Sequence, residues 1–124
     1  MDTPEFFVVD DDASVRKGIR RLLKSLHLAV RLFESAEDFL AQVKPGTVGC
    51  LILDIRLPGM TGLQLQEQLV RSNWHLPIIF VTAHDDDESR ATAMRQGAVA
   101  YLHKPFDREH FVDSVNQAIS RSLV

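Results

Sequence analysis

The sequence predicts an α/β fold, a doubly wound parallel sheet of five strands with helices on both faces. Short apolar runs alternate regularly with stretches of helical periodicity, which gives five strand–helix units in succession. The first, third and fourth runs are mostly apolar and rich in valine and isoleucine, as expected for strands buried on both sides. With 124 residues, the chain has room for one such domain, spanning residues 1–124.

The first unit starts with the apolar run Phe6–Val9, which ends at three consecutive aspartates, Asp10–Asp12. A helix follows, because apolar residues then recur at helical intervals and form one stripe. The stripe consists of Val15, Ile19, Leu22, Leu23 and Leu26. Basic residues fill the polar face of the same helix, and we interpret them as a solvated face because the rest of the chain is acidic. These basic residues are Arg16, Lys17, Arg20, Arg21 and Lys24.

The second unit begins with a predicted strand over Leu28–Phe33. Ser35 followed by Asp38 resembles a capping box, although aspartate stands where glutamate or glutamine is usual. This pair predicts the start of a short helix that continues to Val43. The helix then ends at Lys44–Gly46, because proline and glycine interrupt helices.

The third apolar run, Cys50–Leu53, has Asp54 at its carboxyl end. After the Pro58–Gly59 turn, the spacing of the apolar residues indicates a helix. These residues are Leu63, Leu65, Leu69 and Val70. The fourth strand covers Pro77–Val81 and is followed by Thr82. Both strands therefore end at a polar residue.

A polar helix is predicted over about Asp85–Gln96, with an apolar face of only Ala91 and Met94. It ends at Gly97, a residue suited to the left-handed conformation that closes many helices. So few apolar residues predict weak anchorage and low local stability. Val99–Leu102 is the fifth strand, and a last amphipathic helix follows it. The apolar positions of this last helix are Phe111, Val115, Ala118 and Ile119.

The composition excludes several classes of protein. The formal net charge is −3 and the pI is about 5.9, so the chain lacks the basic character of nucleic-acid-binding domains. The single cysteine, Cys50, excludes an internal disulfide and a multi-cysteine zinc site, and we interpret it as a small buried hydrophobic residue. Met1–Phe7 does not resemble a signal peptide, and no apolar run approaches the ~20 residues that cross a bilayer. We therefore expect a cytoplasmic protein that does not contact a membrane.

Three carboxylates from distant parts of the chain are predicted to share one pocket. Asp10 and Asp11 follow the first strand, and Asp54 ends the third. In a doubly wound sheet of order 2-1-3-4-5 these strands are neighbours at the topological switch point, where ligands bind outside the carboxyl ends of the strands. Two carboxylates 4 Å apart repel by about 1 kcal/mol in water and about 4 kcal/mol near a protein surface. Either a pKa rises or a cation lies between them, and an all-oxygen site suits Mg²⁺.

Lys104 supplies a balancing positive charge, because it follows the fifth strand and so lies at the same edge of the sheet. Thr82, at the end of the fourth strand, can donate a hydroxyl hydrogen bond into the pocket. The remaining clustered aspartates are assigned to helix starts rather than to the pocket. They are Asp12 before the first helix and Asp85, Asp86 and Asp87 at the fourth.

Four sequence blocks resemble, in their order and spacing, the signature of response-regulator receiver domains of bacterial two-component systems. The blocks are Val8–Asp12, Leu53–Gly62, Val81–Ala83 and Lys104–Phe106. Ser35–Leu40 and Gly97–Tyr101 further resemble the FixJ-like subfamily. Together these blocks span nearly the whole chain, and the resemblance implies the flavodoxin-like (βα)5 receiver fold.

The resemblance implies a phosphoacceptor site. Asp54 would take a phosphoryl group from a phosphohistidine of a sensor histidine kinase. Asp11 would bind Mg²⁺ directly and Asp10 directly or through water, and Asp54 and the backbone carbonyl of Arg56 would be further ligands. Mn²⁺ could replace Mg²⁺. The chain would then be a regulatory phosphoacceptor with slow autodephosphorylation, rather than an enzyme.

The resemblance also implies a switch. Thr82 and Lys104 would contact the phosphoryl oxygens, and inward movement of Thr82 would be coupled to rotation of Tyr101. The peptide bond between Lys104 and Pro105 would be cis. His84 and Arg56 occupy positions that influence the access of water to the phosphoryl group in this family.

Output would pass through the fourth helix and fifth strand, by a phosphorylation-dependent homodimer. FixJ-like proteins continue into a DNA-binding domain, so we expect this chain to be the N-terminal part of a longer DNA-binding response regulator. DNA would then be contacted only through a C-terminal domain absent from this chain. Transcription regulation is the expected output.

Several other classes fit the sequence less well. A flavin-binding protein of this strand order would need a phosphate-binding loop after the first strand, where three acids stand here. Haloacid-dehalogenase-type phosphatases place a second aspartate two residues after the nucleophile, a position occupied here by Arg56. The main alternative is a receiver-like interaction module that signals without phosphorylation. Such modules usually lack one of the acids or the lysine, and this chain has them all.

Overall fold

The computed structural model describes residues 4–84 and 86–122. Strands and helices alternate along the chain, as the sequence predicts. The ten elements are β1 Phe6–Val9, α1 Ala13–Ser25, β2 Val30–Phe33, α2 Ala36–Gln42, β3 Cys50–Leu53, α3 Gly62–Arg71, β4 Ile78–Thr82, α4 Asp87–Arg95, β5 Ala100–His103 and α5 Arg108–Ser122.

All five strands are parallel and form one sheet in the order β2-β1-β3-β4-β5, which confirms the predicted topology. β1 lies between β2 and β3, and its register places Val9 opposite Leu53. The residues that follow these two, Asp10 and Asp54, therefore leave the sheet side by side. The register of the central strands is thus what brings the two acids together.

Alternate side chains of each strand pack into one of two apolar clusters, one on each face of the sheet. Phe7 on β1 packs with residues of α2 and α3, such as Phe39 and Leu65. Phe6, on the opposite face, packs with residues of α1 and α5, as does the buried Cys50. Burial raises the pKa of the Cys50 thiol to about 11, in keeping with the predicted role as a small apolar side chain.

Some element boundaries differ from the prediction by one or two residues. β2 begins at Val30 rather than Leu28, because its ladder with β1 starts where Val30 lies opposite Phe6. β4 and β5 each begin and end one residue later than predicted, so Thr82 is the last residue of β4. The ends of a strand are set by its hydrogen-bond partners on the neighbouring strand, and the apolar pattern alone does not show which residues these are.

The predicted apolar face of α4 is wrong. Ala91 is exposed and Met94 is 43% exposed, whereas the fully buried residue of the helix is Ala93. Asp86 forms the N-cap of the helix, and Ala93 belongs to the apolar cluster on one face of the sheet. The predicted start at Asp85 lies outside the described residues. One buried residue in nine agrees with the predicted weak anchorage of this helix.

Other local predictions are confirmed. Gly97 has a positive φ of 100° at the end of α4, and the Ser35 side chain accepts a hydrogen bond from the amide of Asp38 at the start of α2. The Lys104–Pro105 peptide bond is cis. Within the described part of the chain, every helix is too short or too polar to cross a bilayer.

Candidate functional site

The three predicted acids meet at the carboxyl edge of the sheet. Asp10 is 1% exposed and Asp54 is 7% exposed, whereas Asp11 is exposed. One oxygen from each carboxylate lies within 4.8 Å of the other two. The amide of Asp54 donates to the Val9 carbonyl, so the ladder between β1 and β3 continues into the site. The predicted convergence of these side chains is confirmed.

Lys104 reaches the same pocket from the end of β5. Its backbone amide donates to the Thr82 carbonyl at 2.7 Å, which fixes the start of the loop beside β4. Its Nζ lies 2.8 Å from Asp10 Oδ2 and 3.2 Å from Asp54 Oδ2. The lysine side chain is only 16% exposed, so both ion pairs are shielded from solvent. One amine thus neutralises part of the charge on two nearly buried carboxylates.

Burial and charge pairing oppose each other at this site. Burial raises the pKa of the Asp10 carboxyl above its ordinary value, despite hydrogen bonds from Lys104 and from the amide of Asp12. Burial also tends to lower the pKa of Lys104, but the hydrogen bonds and charges of Asp10 and Asp54 outweigh it, and the pKa is raised. Lys104 therefore remains charged at neutral pH, and a single ammonium group faces three carboxyl groups.

The loop after β3 folds back against Asp54. The amide of Arg56 donates to Asp54 Oδ1 at 3.2 Å, and the amide of Gly62 donates to the Ile55 carbonyl at 2.9 Å. A Cβ on Gly62 would collide with the backbone carbonyl of Asp54, so only glycine fits there. The Arg56 side chain is exposed, and the role of its carbonyl as a metal ligand stays a prediction.

Thr82 and Tyr101 meet through the backbone of one residue. Thr82 is fully buried, and its hydroxyl oxygen accepts a hydrogen bond from the amide of His84 at 3.1 Å. The hydroxyl of Tyr101 donates to the carbonyl of the same His84 at 3.4 Å. The Tyr101 ring is half-buried near Phe80, with the Arg90 guanidinium 5.2 Å from its centre. A shift of the loop at His84 would therefore act on both predicted switch residues.

Two aspartates outside the pocket act as helix caps, as predicted. Asp12 accepts hydrogen bonds from the amides of Ser14 and Val15 at the start of α1, and Asp86 accepts one from the amide of Glu88. Asp87 lies in the first turn of α4, and Asp85 lies outside the described residues. Acids in these positions stabilise helix starts and need no ligand.

Two charged residues that support the site, Arg16 and Glu37, were not predicted from the sequence. Arg16 is not part of the solvated face of α1, because its Nη1 donates to the Asp10 carbonyl at 2.6 Å and its side chain is only 13% exposed. Glu37, on α2, accepts a hydrogen bond from the amide of Met60 at 2.8 Å. Both side chains form hydrogen bonds with backbone atoms: Arg16 with Asp10 after β1, and Glu37 with Met60 in the loop after Asp54. No sequence pattern marks such contacts, since they depend on tertiary packing.

The donor set fits a hard divalent cation. Its ligand atoms are all carboxylate oxygens, two of the three side chains are held in place by burial, and the third faces solvent. Mg²⁺ prefers oxygen ligands and keeps several waters, so a half-open site of this kind suits it. The structural zinc sites of proteins are built mainly from cysteine and histidine, and this cluster contains neither.

A doubly wound sheet with acids and a lysine at its switch point is the arrangement of a receiver domain. The response regulator receiver domain family matches residues 6–116, and the chain belongs to this family. The transcriptional regulatory protein TdiR of Thauera aromatica is 46% identical over 114 residues, covering 92% of this chain and 50% of TdiR.

Two solved structures show the same architecture. The response regulator StyR superposes with a TM-score of 0.91 at 43% identity, covering 98% of this chain and 62% of that one. FixJ-N superposes with a TM-score of 0.84 at 32% identity, covering 97% and 96% of the two chains. The resemblance to the FixJ-like proteins is thereby confirmed. The chain spans about half the length of the curated relatives that it matches.

Membership of this family establishes the general role of the chain. Receiver domains are the regulatory phosphoacceptors of two-component systems rather than classical enzymes, they receive phosphoryl groups from sensor histidine kinases, and they bind Mg²⁺ at an acidic pocket. Several members belong to transcriptional regulators. Phosphorylation-dependent signalling is therefore the function of the domain.

Proposed function

We propose that the domain takes a phosphoryl group on Asp54 from a sensor histidine kinase and thereby controls dimerisation and transcription. The observation that carries this proposal is the contact of Lys104 Nζ with both Asp10 and Asp54, beside the exposed Asp11. Asp54 is nearly buried, whereas Asp11, with an oxygen within 4.8 Å of it, is exposed to solvent. The geometry suits an acceptor better than a structural ion pair.

In this proposal Asp10, Asp11, Asp54 and the carbonyl of Arg56 hold Mg²⁺, or Mn²⁺ in its place. The cation supplies neutralisation of charge on the carboxylates and on the phosphoryl oxygens when it is bound. Asp11 is the freest of the three acids and can turn toward the cation without breaking another contact in the pocket. Asp10 and Asp54 keep their positions through Lys104.

The transfer itself needs little more than alignment. A carboxylate oxygen of Asp54 forms a bond to phosphorus while the phosphorus–nitrogen bond of phosphohistidine breaks, and the electron pair of that bond stays with the imidazole. Three carboxylates (−3), the cation (+2) and Lys104 (+1) sum to zero before transfer, and an aspartyl phosphate of about −2 leaves roughly −1. Lys104 and the Thr82 hydroxyl then bind the phosphoryl oxygens. Catalysis consists of positioning and charge neutralisation.

The signal would leave the site through His84. The Thr82 hydroxyl oxygen accepts a hydrogen bond from the His84 amide, so movement of Thr82 toward a phosphoryl oxygen would also act on His84. The carbonyl of the same residue accepts from Tyr101, so the ring and α4 would shift together. Among the described residues of α4 only Ala93 is buried, so the helix is weakly anchored and its movement costs little free energy. Slow autodephosphorylation by water would then reset the switch.

We further propose that the surface formed by α4 and β5 mediates a phosphorylation-dependent homodimer. Size-exclusion chromatography of the domain treated with acetyl phosphate and Mg²⁺ is expected to show a twofold increase in apparent mass. The Asp54→Ala variant, treated identically, should remain monomeric. A wild-type domain that stays monomeric at high concentration would contradict the dimer proposal.

The proposed place of this domain is the N-terminal part of a longer cytoplasmic regulator that binds DNA through a second domain. This proposal is supported by TdiR, a transcriptional regulatory protein of which the chain matches about half. The chain itself has a net charge of −3, which favours an indirect connection to DNA.

Incubation with acetyl phosphate tests the phosphoacceptor proposal. With millimolar Mg²⁺, intact-mass spectrometry is expected to show a gain of one phosphoryl group, and the gain should vanish in EDTA and in the Asp54→Ala variant. Circular dichroism provides the control that the variant is folded. A wild-type domain that never gains mass would instead favour a module that signals without phosphorylation.

A further inference from the structure

Glu37 spans the gap between α2 and the loop that follows the acceptor strand. It lies in the first turn of α2, and its Oε2 accepts a hydrogen bond from the amide of Met60 at 2.8 Å. The same oxygen lies over Gly59, where a Cβ would collide with it. Gly59 has a φ of +74°, a conformation that favours glycine. The loop is therefore shaped to receive this carboxylate.

The middle of this loop forms few contacts with the rest of the domain besides the hydrogen bond to Glu37. It leaves the core at Ile55 and Leu57, which are buried, and it returns at Gly62, whose amide donates to the Ile55 carbonyl. Pro58 and Gly59 between these points are exposed. Among the hydrogen bonds of the described residues, that from Met60 to Glu37 is the one that ties the loop to another element.

We propose that Glu37 is a positioning residue, which holds the loop between Asp54 and α3 in the conformation that completes the metal site. The inference rests on the proposed function, because the loop matters through the Arg56 carbonyl and the Asp54 carboxylate. Arg56 also donates its amide to Asp54 Oδ1, so displacement of the loop alters both groups. Glu37 acts on the metal and the acceptor only through this backbone.

The negative charge of the Glu37 carboxylate strengthens its hydrogen bond with the Met60 amide. The hydrogen bond from the Met60 amide lowers the pKa of Glu37, and the side chain is ionised at neutral pH. A charge-assisted hydrogen bond is shorter and stronger than a neutral one. Without the hydrogen bond to Glu37, the loop would have to become ordered when Mg²⁺ binds. The conformational entropy lost in that step would weaken Mg²⁺ binding.

Three variants separate this role from the effect of charge on the helix. Glu37→Ala removes the acceptor, Glu37→Gln keeps a side-chain oxygen that can accept the same bond, and Asp38→Ala removes an exposed acid from the next position of α2. All three are expected to fold, because neither Glu37 nor Asp38 is buried. Thermal melting of the metal-free proteins checks this directly.

Amide hydrogen exchange in the metal-free domain, measured by NMR, gives a readout independent of phosphorylation. The Met60 amide should exchange slowly in the wild type and in Asp38→Ala, and about ten times faster or more in Glu37→Ala. Titration calorimetry should then show Mg²⁺ binding weakened roughly 5–10-fold in Glu37→Ala, with most of the loss restored in Glu37→Gln. The initial rate of acetyl phosphate uptake should follow the same order.

Two results would overturn the proposal. One is Glu37→Ala with the Mg²⁺ affinity of the wild type, whatever its exchange rate at Met60. The other is an equal loss of affinity in Asp38→Ala, which would assign the effect to net charge rather than to the hydrogen bond. A wild-type domain that neither binds Mg²⁺ nor gains phosphoryl mass would refute the proposed function itself, and is thereby distinguishable from failure of the Glu37 role alone.

Discussion

Replacing Lys104 with alanine is expected to lower the free energy of unfolding of the metal-free domain by about 2–3 kcal/mol at neutral pH. The substitution leaves the carboxylate of Asp10, which is 1% exposed, without its cation, and Asp54 loses the same partner. The value lies below the ~3–5 kcal/mol typical of a broken buried pair, because Lys104 is partly exposed and Asp10 can neutralise itself by binding a proton. Urea unfolding monitored by circular dichroism measures this change.

The loss should depend on pH in a defined direction. Burial raises the folded-state pKa of Asp10, and removal of Lys104 takes away the hydrogen bond and the positive charge that lower it. Acidification toward that raised pKa protonates the carboxyl and removes the unpaired charge, so the deficit of Lys104→Ala should shrink as pH falls below neutral. In the wild type, the folded-state pKa of Lys104 is raised, so its contribution is complete below the ordinary value of 10.5 and is lost only as pH rises through the raised pKa.

Lys24→Ala is the matched control for this experiment. It removes the same charge from the exposed face of α1, and its free energy of unfolding should stay within about 0.5 kcal/mol of the wild type. If Lys104→Ala behaves like Lys24→Ala at neutral pH, the pairing of the amine with Asp10 and Asp54 does not stabilise the domain, and the electrostatic account of the pocket is wrong.

Asp11→Asn is expected to have the second large effect, and in opposite directions with and without metal. In the metal-free domain it should raise the melting temperature, because it removes one of three carboxylates whose oxygens lie within 4.8 Å of one another. It should also weaken Mg²⁺ binding by roughly tenfold or more, because a direct ligand loses its charge. Wild-type stability should rise by about 2.7 kcal/mol at 100 times the Kd of Mg²⁺, and a variant that binds tenfold more weakly should gain only about 1.4 kcal/mol at the same concentration.

Asp12→Asn tests whether this effect belongs to the pocket. Asp12 is adjacent in sequence, but its carboxylate caps α1, and asparagine is an equally good N-cap. Its melting temperature and Mg²⁺ affinity should match those of the wild type. Equal loss of affinity in both variants would show that the acids act through general charge, and an unchanged affinity in Asp11→Asn would contradict the metal assignment. Differential scanning fluorimetry and titration calorimetry supply the two readouts.

The sequence sufficed to predict the pocket because its members follow strand ends. A parallel sheet brings the carboxyl ends of its strands to one edge, so the meeting of Asp10, Asp54 and Lys104 was predictable from the strand order. Distances of 2.8 and 3.2 Å from Lys104 to the two acids confirm that inference. The strand order in turn places the switch point between β1 and β3, where doubly wound sheets bind their ligands.

The contacts that the sequence did not predict are side-chain bonds to distant backbone. Glu37 contacts Met60, 23 positions along the chain, through one hydrogen bond that no periodicity encodes. Arg16 was placed on the solvated face with its basic neighbours, yet its guanidinium binds the Asp10 carbonyl. The apolar face of α4 was predicted wrongly for a related reason: the helix has few apolar residues, and packing rather than spacing decides that Ala93 is the buried one. Such features depend on geometry that is set only when the elements pack.

The central claim is that crowding and partial neutralisation prepare Asp54, and no other acid, to accept phosphate. Reduction of an acyl phosphate with borohydride converts the modified aspartate into homoserine, which marks the acceptor permanently. After treatment with acetyl phosphate and Mg²⁺, peptide mass spectrometry is expected to find homoserine at position 54 alone. Homoserine at position 10 or 11, or at none of the three, would contradict the account.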